Sequence, residues 1–221
     1  MKLFVSALTK FIFGVLLVGT LIFLPAGSLR YFGGWLFFAL LFIPMLLLCA
    51  VLLIKAPELL KKRLNVKEKM GAQSVIVSLS ALIFICGFVV AGLDYRFGWT
   101  KIPLWATVTA CLVFLISYAL YAEVMRENAY LSRTVEVVEG QKIIDTGLYG
   151  LVRHPMYLAS VFMFLSIPII LGSLWSLLCF SPYVLLICLR IISEEKLLLQ
   201  ELDGYAEYKK RVRYRLLPFI W

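Results

Sequence analysis

From Met156 to Leu189 the chain carries no charged side chain, a run of 34 residues. As one α-helix this run would extend ~51 Å at ~1.5 Å per residue, whereas the hydrocarbon layer of a bilayer is only ~30 Å thick. Gly172 and Ser173, in "LGSLW", break the run near its middle. A helical hairpin that enters and leaves through one membrane face satisfies both constraints, with legs of roughly 25 Å that are slightly short for the layer. Doubling back places the two polar ends of the run side by side. Arg153 and His154 precede it, and Arg190, Glu194 and Glu195 follow it.

The remaining sequence agrees with a membrane setting. Hydrophobic residues make up 62% and charged residues 16%, against about half and about a quarter in soluble domains. Further apolar segments of near-spanning length lie at about residues 11–27, 32–54, 74–93 and 104–123. With 156–171 and 174–190 they predict an all-α, polytopic membrane bundle of about six transmembrane helices. A cytoplasmic C-terminal helical segment completes it. Four spans occupy residues 1–123, and residues 124–221 form the part that bears the polar motifs. The opening residues loosely resemble a secretory leader, but Lys10 sits late, and the segment is read as the first helix.

Net charge is +9, and 19 of the 22 Lys and Arg fall on one side of the predicted topology. Basic residues collect on the cytoplasmic face of membrane proteins. Both termini and the two long loops are therefore expected in the cytoplasm, and the charge does not point to nucleic acid. The basic loop at 55–73 is read as a topology determinant rather than a specific site for anionic lipid. Cys49, Cys86, Cys111, Cys179 and Cys188 lie in apolar runs without metal spacing or a disulfide framework, as small apolar fillers do.

Ionisable groups beside the apolar layer are costly and are candidates for function, although Arg and Glu at helix ends also serve as anchors that reach into water. Here the candidates are Arg153, His154, Arg190, Glu194, Glu195 and, less strongly, Glu123. His154 is the only histidine, and no Cys or carboxylate stands at ligand spacing from it, which argues against a metal site. Pro155 suits the first turn of a helix, whose free N–H groups can receive a carboxylate or phosphate. Tyr149 and Tyr157 add aromatic faces and hydroxyls. These ingredients suit a polar, partly anionic cofactor at the membrane surface. Beyond Glu194 the chain reads as a helix, a break at Gly204 and a second basic helix with an apolar end at Leu216, Leu217, Phe219, Ile220 and Trp221. That pattern predicts a peripheral helix lying at the interface.

Three stretches in order carry a resemblance: "GLYGLVRHPMYLAS" at 147–160, "RIISEEKLLL" at 190–199 and "GYAEYKKRVRYRLLPFI" at 204–220. Together they resemble the isoprenylcysteine carboxyl methyltransferase family and its prokaryotic relatives, within the phospholipid methyltransferase-like superfamily. Ala159 and Ser160 stand where that family has a glycine. The resemblance implies a membrane methyltransferase that uses S-adenosylmethionine. It implies cofactor contacts from Gln141, Lys142, Ile143, Ile144, Tyr149, His154, Pro155, Met156, Tyr157 and Glu194. It implies catalytic roles for Arg190 and Glu195, substrate contacts from Arg190 and Arg153, and a tail closing over the site through Tyr205, Tyr208, Leu217 and Pro218. Membrane lipids and a lipid or lipidated acceptor are the implied partners.

The residues suit that chemistry. A carboxylate acceptor, with a pKa near ~3.5, is already ionised at neutral pH. The protein then needs to align it and exclude water, and Arg190 can hold it with a forked pair of hydrogen bonds. An amine acceptor must lose a proton, for which His154 is the candidate. Two enzymatic alternatives follow. One is N-methylation of phospholipid head groups. The other is an NADPH-dependent reductase like the membrane sterol reductases, whose similar C-terminal half reads Arg-x-Pro-Asn-Tyr where this chain has Met156. A scaffold with a relic pocket is the non-catalytic alternative.

Overall fold

The computed structural model describes residues 2–64, 71–128, 130–131, 137 and 140–221. Lys67, Lys69 and Arg133, part of the basic loops, lie outside the described residues. The first four helices are α1 (Lys2–Ala26), α2 (Phe32–Lys55), α3 (Pro57–Leu64) and α4 (Gly71–Phe97). They are followed by α5 (Leu104–Glu127), α6 (Pro155–Ile170), α7 (Leu174–Phe180), α8 (Tyr183–Glu201) and α9 (Tyr205–Arg211). Among the described residues there is no strand.

Among the described residues, five helical segments are long and apolar enough to cross a membrane: Leu3–Ala26, Phe32–Lys55, Gln73–Phe97, Leu104–Glu127 and the combined Leu174–Glu201. The remaining expected span, α6, has 16 residues and reaches only ~24 Å. It is the short leg of the hairpin. Most outward-facing Leu, Phe and Ile of the long helices are exposed, as lipid-facing side chains must be. Inside, Phe37, Phe88, Phe114 and Phe180 form a buried aromatic centre between α2, α4, α5 and α7. Phe37 and Phe114 meet edge-to-face with centroids 6.2 Å apart, a geometry the ring quadrupoles favour.

The hairpin turns where the sequence predicts. Gly172 has φ +79°, a left-handed conformation that costs glycine little. Ser173 then caps α7 by accepting from the Ser176 N–H at 3.0 Å. The turn is tied to α4 by Asp94, which is 1% exposed. Its carboxylate accepts from the Ser173 hydroxyl at 2.5 Å and from the Thr100 N–H and hydroxyl at 2.8 Å each. The Tyr31 hydroxyl donates to the Leu171 carbonyl beside it. This knot fixes the turn at the end of the bundle opposite the polar motifs, and α8 brings Arg190 and Glu194 back beside the start of α6.

The C-terminal segment differs from the expected interfacial helix. α9 is only seven residues long, and it packs inward. Tyr205, Tyr208 and Val212 form one buried stripe against Ile143, Leu198 and Leu202. Residues 212–221 then run back across the start of α6. There the N–H groups of Arg153 and His154 donate to the carbonyls of Tyr214 and Arg215, both at 2.9 Å. These two N–H groups precede the helix and need external acceptors, which the tail supplies. Of the apolar end, Phe219 and Ile220 stay exposed.

Candidate functional site

A cavity of about 120 Å³ opens at the end of the bundle where the hairpin legs meet. Its walls come from residues just beyond α5, residues 141–144, the turn before α6, the first turn of α6, α8 and α9. Tyr149 sits in a 3₁₀ turn, Gly147–Gly150. Glu127 at the end of α5 holds this turn by accepting from the Leu148 N–H at 3.1 Å. Gly147 leaves the room for that carboxylate, since a Cβ there would fall 1.6 Å from Glu127 Oε1. The Tyr149 hydroxyl accepts from Asn128 Nδ2 at 3.0 Å, and its carbonyl accepts from the Tyr208 hydroxyl at 2.8 Å.

Next along the chain, His154 precedes α6 and Pro155 occupies its first turn. One helical turn on, the Tyr157 side chain joins the two legs of the hairpin. Arg190 Nε donates to the Tyr157 hydroxyl at 2.9 Å, and that hydroxyl donates to Glu194 Oε2 at 2.5 Å. Arg190 and Glu194, one turn apart on α8, thus share a single phenol from α6.

Behind this wall lies a second polar centre around Glu195, which is 2% exposed. Its Oε1 accepts from Arg153 Nε at 2.7 Å and lies 3.3 Å from His154 Nε2. Its Oε2 accepts from Arg215 Nε at 3.0 Å and lies 3.8 Å from Lys209 Nζ. Arg153 also donates through Nη1 to the carbonyls of Val212 and Arg213, at 2.7 and 2.8 Å. The pair therefore locks the tail onto the start of α6.

Of the residues singled out in the sequence, 141–144, Tyr149, Arg153 through Tyr157, Arg190 and Glu194 line the cavity. Glu195, expected in a catalytic role, does not line the cavity, and both its oxygens are engaged by basic side chains of the chain. Arg153, expected to contact substrate, borders the cavity while its Nε and Nη1 hold Glu195 and the tail. Glu123 pairs with Arg126 on the outer face of α5, at 2.5 and 2.8 Å, away from the cavity. Asn128, Tyr130, Leu131, Leu197, Leu198 and Leu202 also line it. Leu197 and Leu198 follow Arg190 and Glu194 at helical spacing, a periodicity that identifies them once α8 is extended past the charged residues. Asn128 carries no such signal.

Electrostatically the wall is mixed. Among the described residues Glu194 is its one carboxylate, sharing the lining with Lys142, Arg153, His154 and Arg190 and with the apolar Ile143, Ile144 and leucines of α8. Burial pushes the Tyr149 hydroxyl up to about 12 and raises Tyr205 and Tyr208 as well. These phenols therefore stay neutral hydrogen-bonding groups at physiological pH.

Two curated proteins show similarity to parts of the chain. A Delta(14)-sterol reductase of Arabidopsis thaliana is 30% identical over 128 residues, covering 52% of this chain and 34% of that protein. The Delta(14)-sterol reductase TM7SF2 of Mus musculus is 32% identical over 91 residues, covering 40% of this chain and 22% of that protein. The chain thus spans about a third or less of the length of these relatives. Residues 105–205 match the family model described as phospholipid methyltransferase. The stretch that builds most of the cavity, from α5 to the first residue of α9, is the stretch that matches the phospholipid methyltransferase family.

Proposed function

We propose that this chain is a membrane methyltransferase that uses S-adenosylmethionine to methylate the polar end of a lipid-like acceptor. The preferred acceptor group is the carboxylate of an isoprenylcysteine-like or other lipidic acid. The observation that carries this reading is the hydrogen-bonded chain Arg190–Tyr157–Glu194, set in the wall of a cavity built by the methyltransferase-like stretch. On this reading the cavity and both termini face the cytoplasm, where 19 of the 22 basic residues gather.

The wall residues fit the cofactor, a zwitterionic amino acid with a sulfonium joined to a purine nucleoside. Glu194 offers an anion for its cationic end, Lys142 offers a cation for its carboxylate, and Ile143, Ile144 and Leu198 offer apolar contact to a purine. When bound, the cofactor supplies an electrophilic methyl carbon. Tyr157 donates to Glu194 and so fixes the direction in which its carboxylate points. Arg190, oriented by the same hydroxyl, holds the acceptor carboxylate. No general base is required, because a carboxylate with a pKa of ~3.5 is ionised at pH 7. The tail and α9 cover the site and keep water out, so that alignment supplies most of the rate. An acyl or prenyl tail stays in the bilayer while its polar end meets a water-soluble cofactor at the boundary, which is where the cavity opens.

The test is thermal stabilisation of the purified protein. S-adenosylhomocysteine is expected to raise its melting temperature, NADPH to leave it unchanged, and His154→Ala to weaken the effect. With methyl-labelled cofactor and membrane lipids, label is expected in a product that releases methanol in base. Label in a base-stable lipid amine would replace the carboxyl acceptor with an amine, the alternative that the description of the matching family favours. Stabilisation by NADPH alone would favour a reductase instead, the alternative supported by the similarity to two sterol reductases.

A further inference from the structure

Tyr205 stands out among the residues around the cavity. It is 4% exposed and lines the cavity wall. Its hydroxyl oxygen is shielded from water and has no hydrogen-bond partner among the described residues. The other buried phenols that line the cavity have partners: Tyr149 with Asn128, Tyr157 with Arg190 and Glu194, and Tyr208 with the Tyr149 carbonyl. A buried hydroxyl without a partner costs free energy, and folded proteins keep few of them.

The chain goes to some length to place this phenol. Gly204, at φ +81°, reverses direction between α8 and α9 and turns the Tyr205 ring inward. The ring is then wedged by Ile143, Leu198 and Leu202, with Tyr208 at a centroid distance of 5.7 Å. If apolar filling were all that this position required, phenylalanine would serve without the penalty. Glu195, Arg153 and Glu194 act electrostatically on the hydroxyl, and of these Arg153 and Glu194 line the cavity with it.

We propose that the Tyr205 hydroxyl is a cofactor-binding group whose partner is a polar atom of a bound adenosyl amino acid. The proposal rests on the methyltransferase reading above. It gives α9 a role beyond covering the site, because the hydroxyl of its first residue finds its partner only when the cavity is filled.

The test compares wild type with Tyr205→Phe, which keeps the ring, and uses S-adenosylhomocysteine as the probe. In the ligand-free protein, Tyr205→Phe is expected to melt at the same temperature as wild type or higher, since it removes a penalty and no bond. Its dissociation constant for S-adenosylhomocysteine, by isothermal titration calorimetry, is expected to rise about three- to tenfold, the usual range for one neutral hydrogen bond. Tyr208→Phe is the structural control. It loses the bond to the Tyr149 carbonyl, and its ligand-free melting temperature is expected to fall. A lower ligand-free melting temperature in Tyr205→Phe would show that the hydroxyl already has a partner in the chain and would overturn the proposal. So would unchanged affinity in a variant of wild-type stability. Failure of S-adenosylhomocysteine to bind the wild type at all would instead remove the methyltransferase reading, and this inference with it.

Discussion

Arg153 and Glu195, 42 positions apart, meet at 2.7 Å with each side chain 3% exposed. This pair fastens three parts of the chain at one point: the turn before α6, the middle of α8, and the tail through Arg215 and the carbonyls of Val212 and Arg213. Removing one partner of a buried pair leaves an uncompensated charge, which typically costs about 3–5 kcal/mol. Glu195→Gln is therefore expected to lower the melting temperature and to loosen the tail. Limited proteolysis checks the second effect: cleavage after Lys209, Lys210 or Arg211 should become fast in the variant and stay slow in wild type. A variant that keeps its melting temperature but loses all turnover would restore Glu195 to a catalytic role.

Tyr157 connects the two hairpin legs by a different principle, since one phenol serves both Arg190 and Glu194. Tyr157→Phe keeps the ring and removes both bonds. Hydrogen bonds to charged groups contribute about 1.5–3 kcal/mol, equivalent to roughly tenfold to hundredfold in affinity. The expected result is a loss of S-adenosylhomocysteine binding of that order, read by calorimetry, with helical content by circular dichroism unchanged. Arg190→Lys, which keeps the charge but not the fork, is expected to impair turnover more than cofactor affinity.

The hairpin was legible in the sequence because an arithmetic conflict forces it: an uncharged run of 34 residues is longer than a bilayer is thick. Once Gly172 turns the chain, Arg153 and His154 must lie near Arg190 and Glu194, and the structure places them there. The division of labour between Glu194 and Glu195 was not legible. Adjacent residues on a helix differ by about 100° in direction, and only the packing of α8 on α6 decides which one faces the cavity. The fold-back of the tail was also hidden. It depends on backbone acceptors offered to the Arg153 and His154 N–H groups, which leave no trace in side-chain pattern. The alternation of charge and apolar residues in 205–221 reads equally well as an interfacial helix.

Asp94 marks the opposite end of the bundle, and its three donors tie α4 and the loop at Thr100 to the turn of the hairpin. Asp94→Leu leaves the Thr100 and Ser173 groups without their acceptor at a buried site, and unsatisfied donors cost about 1–3 kcal/mol each. The melting temperature is expected to fall by several degrees or more. Because the knot lies far from the cavity, the protein that remains folded is expected to bind S-adenosylhomocysteine with wild-type affinity. A parallel loss of affinity would show that the turn transmits its state along the hairpin.

Helix approach in a membrane depends on small residues rather than on a hydrophobic drive, and Gly92 gives a direct test. A Cβ at this position would lie 2.6 Å from the Ile22 carbonyl oxygen and 3.0 Å from the Ala26 nitrogen. Both are backbone atoms of α1 and cannot rotate away. Gly92→Ala must therefore push α1 from α4, and overpacking of this kind costs about 1–3 kcal/mol. Gly14 lies on the same α1 helix with nothing within 4 Å of its would-be Cβ. There alanine improves helix propensity by about 0.8–1 kcal/mol, so Gly14→Ala is expected to be neutral or stabilising. Thermal unfolding of the two variants in the same detergent checks the contrast. Equal destabilisation by both would mean that α1 does not rest on α4 at Gly92.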